Sequence, residues 1–536
     1  MLANPGKQSN TQNSDLAGHC AVCAPESVAA VFDMCIDKRL FTCQGEIHKP
    51  ALVLKSGKTQ SVSPSADSDS SEKRAGGAET TDQFSRSLKT RHITMISIGG
   101  IIGAGLFVGS STVIAAVGPA VVLSYATAGA IVFLVMRMLG ELAVSRPGVP
   151  TFTEYTRQIL GDCAAFVSGW LYAYFWIIVV AVETIAGALI IQQWLPLPAW
   201  AIGLVLLSAL TMTNLFSVRI YGEFEFWFAS IKVAAIIAFL IAGAGYLLRI
   251  TSNAGLYGAV SLLHNEGGFA PNGVFGILAG IPAVIFSICG AEIAAIAAAE
   301  STEPARNVAR IARTIILRIL FFYIGSILLI VAIVPWNSVI PGISPFVTAL
   351  NHINVPFAAQ AMTIIILTAV LSCLNSGLYV ASRVLHGLAT RGDAPALFLH
   401  LNAMKSPVAG VIICAVAAFA CTVISMGSSQ AVFNFLLNAS GALMLIVYML
   451  IAAAQIRNRF AMDRAHVGQI PVRMWFFPWA SFATVAAMLT IVLAMPFIKG
   501  MDDQFFASIT ATGFAIAVYW VRRRVRGPRG VKGDVP

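Results

Sequence analysis

The sequence predicts an all-α protein that crosses a membrane about twelve times, and three observations carry that prediction. First, 57% of its 536 residues are apolar and only 11% are charged, whereas a soluble domain has about 25% charged residues. The mean hydropathy of +0.79 agrees. Second, the apolar residues gather into runs of roughly 20, the length of a helix that spans a bilayer. Third, Lys and Arg concentrate in every other connection between those runs, which is the mark of membrane orientation.

The runs fall near residues 93–117, 120–142, 164–193, 198–217, 224–248, 273–298, 315–335, 356–386, 407–427, 431–454, 475–497 and 503–520. Arg146, Arg157 and Arg219 lie in the second and fourth connections. Arg306, Arg310 and Arg313 lie in the sixth, Arg391 and Lys405 in the eighth, and Arg457, Arg459, Arg464 and Arg473 in the tenth. The intervening connections are nearly free of basic residues, so both termini are expected in the cytoplasm and the protein in the inner (cytoplasmic) membrane. The net charge of +10 follows the same pattern and does not suggest nucleic acid binding.

Three regions are expected. Residues 1–84 are polar, rich in Ser, Gly and Thr, and carry no run long enough to span. They are either a disordered extension or the product of a start codon placed too far upstream. Residues 85–525 form the membrane domain, and 526–536 a basic tail. Cys20, Cys23, Cys35 and Cys43 lie in the first region, and no second pair matches the spacing of Cys20 and Cys23. The remaining cysteines sit in or beside apolar runs. No metal, no cofactor and no catalytic motif is expected, so the protein is read as not an enzyme.

The first run contains Gly99, Gly100, Gly103 and Gly105, each costing a helix about 1 kcal/mol against alanine. Such glycines either let helices pack closely or break a helix where backbone lines a watery cavity. Transporters built on inverted repeats carry paired broken helices, which directs attention five spans on. There the sixth run holds Pro282, Gly290 and a charged Glu292 at membrane depth. A carboxylate at that depth is by default functional, although it can also tie helices together.

Two facing breaks suit a small zwitterion. N–H groups at Gly103, Ala104 and Gly105 would favour its carboxylate. Carbonyls around Ile98 and Ile101, and from Phe286, Ser287, Cys289 and Gly290, would favour its ammonium. Lys232 lies two turns into the fifth run and either snorkels to the surface or carries a proton. Glu183 in the third run is a further proton-coupling candidate with a structural alternative. Tyr172, Tyr174 and Trp176 either wall the pocket or pack, and the small polar residues of the eighth and tenth runs are expected as interhelical contacts.

Arg91-His92-Ile93 through Gly103-Ala104-Gly105-Leu106-Phe107-Val108-Gly109-Ser110 resembles the first-helix signature of amino acid permeases of the amino acid–polyamine–organocation (APC) superfamily. Ala291-Glu292 with Ala298-Ala299-Glu300-Ser301 resembles the sixth-helix signature. Ser372-Cys373-Leu374-Asn375-Ser376-Gly377-Leu378-Tyr379, with Arg391-Gly392-Asp393-Ala394-Pro395, resembles the eighth helix and its loop. Leu106 to Ser111, Tyr221 to Trp227, Gly267 to Gly273 and Arg473-Met474-Trp475 are most similar to the branch that carries 4-aminobutyrate (GABA) in bacteria. The resemblance implies a LeuT-like five-plus-five inverted repeat with broken helices 1 and 6 and two extra C-terminal helices. It implies import of GABA or a close analogue by proton symport, with Lys232 matching a lysine used for protons. Two alternatives stay open: a permease or exchanger for another amino acid, and a membrane sensor that signals through residues 1–84.

Overall fold

A computed structural model describes residues 102–146, 151–216, 218–254, 267–292, 318–462, 470 and 472–526. The expectations for residues 1–84, Ile98, Ile101, the sixth run beyond Glu292 and the tail beyond Arg526 lie outside the described residues. Among the described residues, helices make up the regular structure, and the β pairing is one isolated bridge, Leu401 with Pro407.

The chain opens with a four-residue helix, α1 (Ala104–Phe107), and after a turn at Val108 continues as α2 (Gly109–Val117). Then follow α3 (Val121–Ser145), α4 (Phe152–Leu160), α5 (Asp162–Ile191), α6 (Ala199–Phe216) and α7 (Val218–Ala254). Next is α8 (Gly273–Ile288), which runs straight through Pro282. A π-helical turn, Ile319–Gly325, leads into α9 (Ser326–Ile333), followed by α10 (Pro345–His352) and α11 (Ala358–Thr390). The last four are α12 (Val408–Ile424), α13 (Ser429–Phe460), α14 (Trp479–Ala494) and α15 (Asp502–Arg526).

Eight of these helices are long and apolar enough to cross a membrane: α3, α5, α6, α7, α11, α13, α14 with the turn that follows it, and α15. Four shorter apolar helices, Ala104–Val117, Gly273–Ile288, Phe321–Ile333 and Val408–Ile424, lie where the first, sixth, seventh and ninth runs were read. The first three of these run up to residues outside the description.

Burial sorts the helices into an inner and an outer set. In α13 and α5, 83% and 78% of the most apolar stretch is buried, against 17% in α6. Helices that are apolar all round belong in a core or in lipid. The outer surface of α6 exposes Leu204, Val205, Met212 and Phe216, and that of α7 exposes Ile241 and Leu248, an apolar surface suited to lipid rather than water.

The small polar residues of the helices bind neighbouring helices. Asn214 Nδ2 on α6 donates to Asn375 Oδ1 on α11 at 2.7 Å, and Ser508 Oγ on α15 donates to the Ala439 carbonyl on α13 at 3.1 Å. At the end of α3, the fully buried Glu141 pairs with Arg459 at 2.7 Å and accepts from the Met474 N–H at 2.6 Å.

Two helices were not read from the sequence. The helix α4 is amphipathic, burying Phe152, Tyr155, Ile159 and Leu160. Its Arg157 pairs with Asp162 and with Asp393 in the loop after α11, and Asp393 also meets Arg522 of α15 at 3.5 Å. Arg391 binds Glu154 at 3.1 Å. Burial alone would lower the pKa of the Arg157 guanidinium, but the carboxylates of Asp393 and Asp162 raise it above its ordinary value. The second, α10, inserts the fully buried Phe346 between Phe107 and Phe239, with ring centroids 5.1 and 4.8 Å away.

Candidate functional site

The site is built where α1 begins and α8 ends. Ahead of α1, Gly103 lies in a bend, and a Cβ there would stand 2.7 Å from Cys373 Cβ and 2.8 Å from its Sγ, and would overlap Glu183 Oε1. Glycine is therefore required by close approach. The adjacent Ala104 N–H donates to both carboxylate oxygens of Glu183 at 3.0 Å, and the Cys373 thiol also hydrogen-bonds Glu183. A short helix start with a carboxylate on it is a favourable electrostatic pairing. In this conformation an N–H expected to hold a ligand carboxylate is thus held by the protein's own.

The end of α8 shows a parallel arrangement. Cys289 leaves the helix with ψ 158°, and Gly290 takes φ +102°, a region that disfavours any side chain. The Gly290 N–H, which a continuing helix would direct to the Phe286 carbonyl, donates instead to both oxygens of Glu292 at 3.1 and 3.0 Å. Tyr172 of α5 donates to Glu292 Oε1 at 3.0 Å, and Tyr448 of α13 to Oε2 at 3.2 Å. Glu292 therefore ties three helices and has its oxygens filled. The Ser287 carbonyl accepts from Tyr323 at 2.7 Å.

Between the two sits a small cavity of about 20 Å³, room for about one water molecule. Of the residues read from sequence, Gly105, Glu183, Phe286, Ser287 and Cys289 line it. Gly103, Ala104 and Gly290 adjoin it through the contacts just given. Phe175, Trp176, Val179 and Cys373 complete the wall. The face of α5 that does this recurs as Trp176, Val179 and Glu183, at i, i+3 and i+7. The Ser287 hydroxyl is buried without a hydrogen-bond partner. Of the three aromatic candidates, Trp176 lines the cavity, Tyr172 binds Glu292, and Tyr174 is exposed.

Lys232 and Glu292 do not line the cavity. Lys232 is fully buried rather than reaching the surface, and its ammonium donates to Ser372 Oγ at 2.9 Å. Ser372 in turn donates to Glu225 Oε2 at 2.7 Å, and Glu225 Oε1 stands 4.0 Å from the ammonium. Glu225 was missed from the sequence. The signal was there: Glu225 and Lys232 are seven residues apart, two helical turns, and so share a face. Ser372 and Cys373, adjacent on α11, bring this pair next to Glu183.

A model of the family described as amino acid permease matches residues 92–529. The chain belongs to the amino acid permease family. The permease is 45% identical to a gamma-aminobutyric acid permease of Bacillus subtilis over 440 residues, 82% of this chain and 94% of the relative. It is 42% identical to a gamma-aminobutyric acid permease of Escherichia coli over 79% of this chain and 91% of the relative. The aromatic amino acid transport protein AroP of Corynebacterium glutamicum is 36% identical over 83% and 96%. The permease is therefore a multi-pass membrane protein that transports amino acids, and not an enzyme.

Proposed function

We propose that this permease imports GABA or a closely related amino acid across the inner (cytoplasmic) membrane by proton symport. The observation that carries the reading is the cavity between the start of α1 and the end of α8, whose walls combine apolar side chains with the carboxylate of Glu183 and the unpartnered hydroxyl of Ser287. The chemistry of that lining matches a small molecule with a short apolar body and charged ends, and the cavity, with room for about one water, has to widen to admit it. The substrate class is drawn from the gamma-aminobutyric acid permeases among the relatives.

In this reading the chain makes twelve spans. They form a five-plus-five inverted repeat, with the first and sixth helices broken, two further C-terminal helices and both termini in the cytoplasm. Residues 85–525 form the permease domain. The substrate site comprises Ile98, Ile101, Gly103, Ala104, Gly105, Phe286, Ser287, Cys289 and Gly290. Lys232, Glu183 and Glu292 are the groups proposed for coupling. A buried ammonium against a buried carboxylate supports that assignment, because such a pair responds strongly to one added proton.

The test is uptake of labelled GABA into proteoliposomes under an inward proton gradient, competed by a panel of amino acids. Accumulation that a protonophore collapses, and that short ω-amino acids compete, is expected. Indifference to the gradient would refute symport. Competition by aromatic α-amino acids alone would move the substrate toward that of AroP.

A further inference from the structure

We infer that Glu225 is the residue that takes up the transported proton, while Lys232 stays an ammonium and changes partner when it does. The inference rests on the proton-symport reading above. Both side chains are fully buried on one face of α7. The two carboxylates differ in how they are held. Glu292 receives Tyr172, Tyr448 and the Gly290 N–H across its two oxygens. Glu225 receives one neutral hydroxyl, Ser372, on Oε2, while Oε1 accepts no hydrogen bond and faces the ammonium from 4.0 Å. A buried carboxylate oxygen without a donor is where a proton adds with no hydrogen bond to break.

The step balances as follows. Before loading, Glu225 is a carboxylate and Lys232 an ammonium, with net charge zero. A hydronium ion from the outer solution gives up one proton, its O–H bond breaking as water leaves, and an O–H bond forms at Glu225 Oε1. Oε2 keeps its hydrogen bond from Ser372, and the Lys232 N–H bonds are untouched. The pair now carries one positive charge, and Glu225 no longer offsets that of Lys232. Losing the proton from Lys232 instead would leave the Glu225 carboxylate as the uncompensated buried charge. Among the described residues, Glu183 on α5 also faces this pair: it is within Coulombic reach of Lys232 and is bridged by Cys373, the neighbour of Ser372. Loading therefore turns the lysine charge toward Glu183. Glu183 holds the Ala104 N–H at the cavity, so the charge change at Glu225 is felt at the substrate site through a change of ion partner, while the proton stays on Glu225.

The test uses the purified full chain in proteoliposomes with labelled GABA and two readouts: accumulation under an inward proton gradient, and counterflow at equal pH. Glu225→Gln fixes the neutral, proton-loaded form. We expect its gradient-driven accumulation to fall at least tenfold while counterflow falls less than threefold. Glu225→Asp keeps a carboxylate and should retain at least a third of wild-type accumulation. Accumulation by Glu225→Gln within threefold of wild type would overturn the inference. So would parallel loss of accumulation and counterflow in protein that elutes and unfolds as wild type does. Should the Gln variant fail to fold, Ser372→Ala replaces it: a larger loss of accumulation than of counterflow supports the proposal, and equal losses overturn it. A wild-type protein that ignores the gradient would overturn the symport reading and this one together. A responsive wild type with an unaltered Gln variant overturns this one alone.

Discussion

Replacing Gly103 with alanine adds one methyl group at the most crowded point of the site. Its Cβ would lie 2.7 Å from Cys373 Cβ and 2.8 Å from Sγ, and would overlap Glu183 Oε1. Carbon atoms rest about 3.5–4.0 Å apart, so roughly 1 Å of overlap has to be relieved. Overpacking of this kind costs about 1–3 kcal/mol. If relief displaces Glu183 from the Ala104 N–H, an unpaired buried polar group costs about 1–3 kcal/mol more. Both costs fall on the folded protein whether or not substrate is bound, so Gly103→Ala should lower stability by at least about 1 kcal/mol. The same protein should unfold at lower temperature in detergent. A second change, Cys373→Gly, removes both clashing sulfur and carbon atoms at a helix cost of about 1 kcal/mol. The double variant should recover at least about 1 kcal/mol relative to the sum of the single changes. A wild-type unfolding temperature in Gly103→Ala would refute the crowding argument. Strict additivity in the cycle would show that strain at Gly103 is relieved away from Cys373.

Tyr172→Phe and Tyr448→Phe each remove one hydroxyl from Glu292; each should cost about 1.5–3 kcal/mol of stability, read by thermal unfolding. Gly290→Ala forces a side chain onto φ +102°, which should cost about 1–3 kcal/mol and lower affinity in equilibrium binding of labelled substrate. Asp393→Asn weakens the ties to Arg157 and Arg522 near the surface and should cost about 1 kcal/mol; the loss should shrink as salt is raised in a melting series.

Much of the architecture was legible because membrane helices announce themselves by long apolar runs. The helix Asp162–Ile191 was read as 164–193, and Ala199–Phe216 as 198–217. The helices α4 and α10 escaped the reading because each is short and amphipathic, with polar residues that break a hydropathy run. In the site, Glu183, Glu292 and Lys232 stood out because charge at membrane depth is costly. What the sequence could not convey was pairing. Glu225 lies near the beginning of its run, where an acid looks solvated, and Ser372 is an ordinary hydroxyl until α11 places it between Glu225 and Lys232. Likewise, nothing local in the chain revealed that Glu183 would meet Ala104 across 79 positions.

The ring of Phe346 between Phe107 and Phe239 has a kinetic consequence. Phe107 lies two residues past Gly105, so any motion of α1 that carries Phe107 away breaks its ring contact with Phe346 of α10. Exposing a fully buried phenylalanine to water costs about 1.5–3 kcal/mol, so a form with Phe346 exposed would hold roughly a tenth to a hundredth of the population. Such a motion is then timed by how often an aromatic wedge is pulled out, and trimming Phe346 to leucine would act like a shortened fuse, quickening it before any contact with the cargo has changed.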